Sequence, residues 1–230
     1  MRTRYRAPVL AALLPLVLAS LGCSLVQAKA AFKDGNRLYK EENYRKAIEE
    51  YEKAVQLKPD FAEAHFYLAS SQQSLYRPGK EGDENKMRLD KAIEHYEKAL
   101  EVNKGDTPNL QQIRMNTLGA LTAMYSDPPL SNYEKALAYA EQLVKDNPND
   151  TKNLYAMANL YEKFGRVDDA ERMYKQIAET NPNDAKACGA LAGFYNKPLW
   201  KDEAGAARSK FEEAVTMLDR CAQLAPEDPS

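Results

Sequence analysis

An all-α stack of repeated helix pairs is the fold class that this 230-residue sequence predicts. Three observations predict it. The stretch Lys46-Ala-Ile-Glu-Glu-Tyr-Glu-Lys-Ala-Val-Gln-Leu-Lys-Pro59 returns almost unchanged as Lys91-Ala-Ile-Glu-His-Tyr-Glu-Lys-Ala-Leu-Glu-Val102. Within it, Ala47, Tyr51 and Ala54 lie four and three residues apart and so share one helix face, while Lys46, Glu49, Glu50 and Lys53 fall largely on the other sides. The alanine then recurs at Ala92, Ala136, Ala170 and Ala214, at steps of 45, 44, 34 and 44 residues, and Asn147-Pro-Asn-Asp150 recurs 34 residues later as Asn181-Pro-Asn-Asp184. A face carrying two small residues needs another helix very close to it, and repetition supplies that helix: each copy packs on its neighbour.

Composition limits the function classes. Charged residues make up 29% of the chain and glycine and proline are modest at 10 and 12, which argues for a folded rather than a disordered protein, and the formal net charge is −2. Arg2, Arg4 and Arg6 sit in the leader; without them 29 basic residues face 34 acidic ones, so nucleic acid is not an expected partner. Two histidines and three scattered cysteines leave little material for a metal site.

The leader, residues 1–28, has a basic start, Met1 to Arg6, and an apolar run from Ala7 to Leu21 that is short for a bilayer span. It resembles a bacterial secretory signal peptide and is set apart from the fold. Two cleavage sites compete. Leu18-Ala-Ser-Leu-Gly-Cys23 resembles a lipobox, which would make Cys23 a lipidated N-terminus, although Ser20 stands where a lipobox prefers leucine. Val26-Gln-Ala28 offers the small-x-small pattern of ordinary signal peptidase, cutting after Ala28. Either site implies export, to the periplasm or to an outer-membrane anchor, and no later apolar run is long enough to span a membrane.

A 34-residue helix–turn–helix unit with small, aromatic and proline landmarks resembles the tetratricopeptide repeat (TPR). The resemblance covers residues 28–226 and implies a right-handed superhelical solenoid of about five units, at about 28–61, 62–106, 107–150, 151–184 and 185–226, with 227–230 as a tail. Gly35, Leu38, Ala47, Tyr51, Ala54 and Pro59 carry it in the first unit; Leu68, Ala69, Ala92, Tyr96 and Ala99 in the second. Leu118, Gly119, Ala136 and Pro148 mark the third, where Ala140 replaces the aromatic; Ala158, Tyr161, Ala170, Tyr174 and Pro182 mark the fourth. The fifth has Leu191, Ala192, Tyr195, Ala214 and Pro226, with Leu218 in the aromatic place.

Asp60, Asp150 and Asp184 closely follow prolines and are expected to cap the next helix, as is Thr107 before Pro108. Extra residues fall at Tyr76–Glu84, Ser126–Pro129 and Lys197–Asp202, and their prolines predict loops. They are either tolerated surface variation or a decorated rim, for which Trp200, the only tryptophan, is the best candidate.

No catalytic constellation appears. His65 and His95 fall in different helices, with no cysteine or acidic ligand at metal spacing. Arg77-Pro-Gly-Lys80 is no phosphate loop, no nucleophile elbow occurs, and Glu49-Glu50 and Glu212-Glu213 read as solvated. We therefore expect no enzyme, no cofactor and no metal. The resemblance implies instead a scaffold that binds a protein or peptide along its concave groove. That surface is expected to carry Lys29, Phe32, Asn36, Tyr39 and Lys40 from the first unit, Phe66, Ser70 and Gln73 from the second, and Lys152, Tyr155, Asn159 and Lys163 from the fourth. Phe32 and Tyr155 replace the lysine expected of a carboxylate clamp. The alternatives are an envelope-assembly or pilus-secretion accessory lipoprotein, an enzyme's regulatory subunit or lipid-handling accessory, and a structural spacer without peptide affinity. Cys188 and Cys221 lie in the two helices of the last unit, on faces that should meet: they form either a disulfide or two buried thiols.

Overall fold

The computed structural model describes residues 14–201 and 205–224, with side chains from residue 24 onward. Among them are ten α-helices and one two-stranded ribbon. The chain divides into two compact units, Met1–Ala120 and Leu121–Ser230.

The first unit opens with α1 (Leu14–Lys40), α2 (Tyr44–Leu57), α3 (Ala62–Leu75) and α4 (Asp83–Val102). The predicted face holds: Ala47, Tyr51 and Ala54 are the buried residues of α2, and Ala92, Tyr96 and Ala99 are buried on α4. Alanine lets the backbones approach, and the tyrosine ring fills the space between them. The closest approach is at Gly35 on α1, where an added Cβ would lie 2.6 Å from Tyr51 Cε1. α1 also runs back into the leader, and Ala28, where the expected leader and the first repeat meet, is fully buried in a cluster with Ala31, Ala54, Phe61 and Ala64. The side chain of Cys23, the basic start at Arg2, Arg4 and Arg6, and the tail at 227–230 lie outside the described residues.

Asp60 does not cap α3. Phe61 takes that position and is buried in the cluster around Phe32, while Asp60 stays exposed beside Lys58. Burying a ring there outweighs one capping hydrogen bond. The insertion after α3 is a loop only as far as Gly82; its remaining residues lengthen α4 to 20 residues, against 14 in α2. Asn85 fastens this loop by accepting from the Arg77 amide (2.8 Å) and donating to the Arg77 and Lys80 carbonyls (2.8 and 2.7 Å).

α5 (Pro108–Ser126) contains the division between the units. The second unit continues with α6 (Tyr133–Asp146), α7 (Thr151–Lys163), α8 (Val167–Thr180), α9 (Ala185–Tyr195) and α10 (Phe211–Leu224). Asp150 and Asp184 accept from the Lys152 and Lys186 amides, each at 2.8 Å, as predicted. Thr107 Oγ1 accepts from the Leu110 amide at 3.4 Å. Asn132 caps α6 in the same way, accepting from the Lys135 amide at 3.0 Å.

One turn recurs within helix pairs. Glu42, Ser131 and Gly165 all have positive φ (57°, 41° and 73°), and the next residue's amide closes back onto Leu38, Tyr125 or Tyr161. This left-handed closure satisfies carbonyls at the helix end, and only the third copy uses the residue best suited to it.

One buried cluster joins Leu154 and Ala158 of α7 and Ala170, Tyr174 and Ile177 of α8 to Leu191, Phe194 and Tyr195 of α9. The third insertion is not a plain loop. Trp200–Lys201 (β1) pairs antiparallel with Ala207–Arg208 (β2). Trp200 is half-buried, edge-on to Phe194 at 5.2 Å, with Lys210 Nζ 4.8 Å from its ring, so it completes the core rather than decorating a rim. On α10 only Ala214 is buried; Phe211 and Leu218 remain 60% and 54% exposed. Cys188 and Cys221 are joined as a disulfide, with Cα atoms 5.6 Å apart, which ties α10 to α9.

Candidate functional site

The residues expected to line a binding groove fall on α1 and α3 in the first unit and on α7 in the second, and each unit is described separately. In the first, α1 and α3 come together through rings. Phe32 lies 5.9 Å from Tyr67, Tyr39 lies 5.5 Å from Tyr67, and Phe66 lies 5.1 Å from Tyr67. Tyr67, which sequence reasoning missed, is the ring that these three share; its spacing of three residues from Ser70 was the available signal. The Tyr39 hydroxyl shares a 2.8 Å hydrogen bond with Ser70 Oγ. Lys29 and Lys40 are exposed.

Two side chains read as ligand-facing amides also have an internal role. The Tyr51 hydroxyl donates to Asn36 Oδ1 at 2.8 Å, and the Tyr96 hydroxyl donates to Gln73 Oε1 at 2.7 Å. Both phenols are buried, and desolvation raises the pKa of each well above the usual tyrosine value. Phe32 turns partly inward too, with its ring 4.7 Å from Phe61.

The second unit repeats the device. Tyr174 donates to Asn159 Oδ1 at 2.9 Å, the same 15-residue separation as Tyr51 and Asn36. Burial pushes the Tyr174 hydroxyl up to about 12. Tyr155 lies 6.3 Å from Tyr174. Lys152 is exposed, and Lys163 pairs with Asp127. In both units the buried tyrosine of the second helix holds the amide of the first by its oxygen. The Nδ2 groups of Asn36 and Asn159 make no hydrogen bond among the described residues. An amide anchored this way offers a donor to a peptide carbonyl.

Elsewhere in the second unit, Glu171 of α8 accepts from Tyr195 (3.1 Å), Lys175 (2.7 Å) and Lys210 (2.6 Å). Burial alone would raise its pKa, but the hydrogen bonds from Lys175 and Lys210 outweigh burial and hold it below the usual carboxylate range. The fold also brings His65 and His95 together, Nδ1 to Nδ1 at 3.2 Å. Burial lowers the pKa of both; for His95, burial and then the neighbouring His65 bring it to about 4. Among the described residues no group of three or more His, Cys, Asp or Glu is placed to hold a metal ion, and no helix is long and apolar enough to cross a membrane.

Comparison with known proteins agrees with the architecture. Family models described as TPR repeat and tetratricopeptide repeat match residues 35–75, 84–106 and 130–193, together more than half of the chain. No curated protein matches the sequence. Among solved structures, a tetratricopeptide repeat protein from Parabacteroides merdae ATCC 43184 is similar at 18% identity and TM-score 0.62, over 88% of this chain and 68% of that one. MamA from Desulfovibrio magneticus RS-1 is similar at 13% identity and TM-score 0.59, over 89% and 98%. YrrB, described as a TPR protein with an unusual peptide-binding site, is similar at 20% identity and TM-score 0.57, over 86% of each chain. These identities speak for the fold. Repeats of this kind generally serve as non-catalytic scaffolds for protein–protein interaction. The helix pairs, the buried alanine–tyrosine–alanine face and the matched repeats all lead to one assignment: the chain belongs to the tetratricopeptide repeat family.

Proposed function

We propose that this interaction scaffold is exported and binds an extended, acid-rich segment of a partner protein in the bacterial cell envelope. The observation that carries the reading is the anchored amide found in both units, Asn36 on Tyr51 and Asn159 on Tyr174, with exposed lysines on the same helices. The amides would hold a peptide backbone, the half-buried rings would cover its side chains, and Lys29, Lys40 and Lys152 would meet its carboxylates. Fluorescence anisotropy with labelled peptides of equal length, acid-rich, neutral or basic, tests this. The acid-rich set should bind, and Lys29→Glu with Lys40→Glu should weaken that binding at least tenfold. Equal, negligible binding of all three sets would leave the spacer reading in its place.

Burial of Ala28 supports processing at Cys23 over cleavage after Ala28. The second cut would remove a core residue and place the new ammonium group of Lys29 beside the Ala54–Phe61–Ala64 cluster. Cleavage before Cys23 retains Ala28 and leaves Ser24 to Gln27 between the lipid and that first packed residue. Several acyl chains anchor stably where one does not. The intact mass of the protein from its native envelope should show a lipid-modified Cys23; an unmodified N-terminus at Lys29 would overturn this.

A further inference from the structure

The sequence holds only two histidines, thirty residues apart on different helices. Helix packing in the first unit sets them nitrogen to nitrogen, His65 Nδ1 lying 3.2 Å from His95 Nδ1, with ring centroids 5.4 Å apart. The tautomers follow from the surroundings. His65 Nε2 lies 3.0 Å from the Pro59 carbonyl, which can only accept, so Nε2 carries the proton of the neutral ring. His65 Nδ1 is then the bare lone pair, and His95 Nδ1 donates to it.

From this geometry we propose that His65 and His95 form a chelating site for one divalent late transition-metal ion, zinc or copper(II). Two metal–nitrogen bonds of about 2.0–2.1 Å span about 3.3 Å between nitrogens at the tetrahedral angle of zinc and about 2.9 Å at the right angle of tetragonal copper(II). The observed 3.2 Å therefore needs only a tilt of each ring toward a common point. A metal-bound histidine ordinarily donates its other ring nitrogen to a carbonyl or carboxylate, which fixes its tautomer and direction, and the Pro59 carbonyl already does this for His65. When the ion enters, the bridging proton leaves His95 Nδ1 and Nε2 takes one up, so the ring stays neutral and no net proton is released. Imidazole is a preferred ligand of zinc and copper, and copper(II) leads zinc in affinity at a given nitrogen site.

The protein supplies two ligands, and water completes the coordination. Burial of His65 and partial burial of His95 hold the rings in place, which favours chelation over binding to either ring alone. The charged groups that act on the pair are balanced: Glu94 and Glu101 against Lys91 and Lys98. This site lies between α3 and α4 and does not depend on the peptide reading.

The composition makes the test clean, because any imidazole-dependent metal binding must come from this pair. The full chain carrying Cys23→Ser, which removes the one cysteine outside the disulfide, is titrated calorimetrically with copper(II), buffered as its glycine complex, and separately with zinc. One ion per chain is expected, with His65→Gln and His95→Gln each weakening it at least tenfold. Pulsed electron paramagnetic resonance of the copper form should show two bound imidazole nitrogens. This readout needs only the unsubstituted pair and so decides the matter even where a variant fails to fold. A spectrum with one imidazole nitrogen or none would overturn the proposal, as would affinity equal to that of His65→Gln/His95→Gln for both metals.

Discussion

Replacing Gly35 with alanine tests the close helix approach on which the first unit is built. The new Cβ would lie 2.6, 2.7 and 3.0 Å from Tyr51 Cε1, Cδ1 and Cζ, where ordinary carbon contacts run at about 3.5–4.0 Å. The ring cannot simply swing away. It is fully buried, stacked at 5.9 Å on Tyr67, tilted at 5.9 Å against Phe32, and tied through its hydroxyl to Asn36. Overpacking of this kind costs about 1–3 kcal/mol. Alanine recovers up to about 1 kcal/mol of helix propensity, while a strained Tyr51–Asn36 bond gives back about as much. The net expectation is a loss of about 1–3 kcal/mol. Gly119 on α5 and Gly193 on α9 are the controls: an added Cβ meets nothing within 4 Å at either. There the same substitution should stabilise by up to about 1 kcal/mol, less at Gly193 because it lies near the end of its helix. Urea denaturation followed by circular dichroism reads all three, with each transition fitted separately because repeat proteins can unfold in parts. If Gly35→Ala stabilises as Gly119→Ala does, the close approach of α1 to Tyr51 is wrong.

Asn36→Ala should destabilise more than Tyr51→Phe, by about 1–2 kcal/mol, because it leaves a buried hydroxyl without its acceptor; equal losses in thermal denaturation would count against the pair. Glu42→Gly should stabilise by up to about 1 kcal/mol, since Glu42 holds a left-handed backbone (φ 57°) where the equivalent turn uses Gly165; a loss of stability would show that the Glu42 side chain matters more than its backbone. Thiol counting on denatured, unreduced protein should find neither Cys188 nor Cys221 free, and reduction should cost about 3–4 kcal/mol for a loop of this length. Because the pKa of Glu171 is depressed in the folded state, its contribution is present above the ordinary carboxylate pKa and is lost as pH falls through the lower folded value. Glu171→Gln should therefore flatten the acid limb of the stability profile, and a variant with the wild-type acid limb would refute this.

The repeated helix pairs were legible in the sequence because their signal is local. Ala47, Tyr51 and Ala54 share a face through the helical period alone, and the period of the chain says that a neighbour will cover them. Asp150 and Asp184 were legible for the same reason, since a cap bonds to an amide two residues on. Tertiary structure decided which side chains meet across helices, because that depends on the offset between two helix axes, which no single-helix period contains. It turned the oxygens of Asn36 and Asn159 onto buried phenols while leaving their other ends available. It drew Phe61 into the cap position expected for Asp60 and folded Trp200 into a core instead of a rim. It also buried Ala28, a residue whose small size reads equally well as a cleavage signal and as a packing position. His65 and His95 show the limit most sharply. Along the chain they stand thirty residues apart in different helices with no third ligand at metal spacing, and the packing of α3 on α4 brought their nitrogens to 3.2 Å.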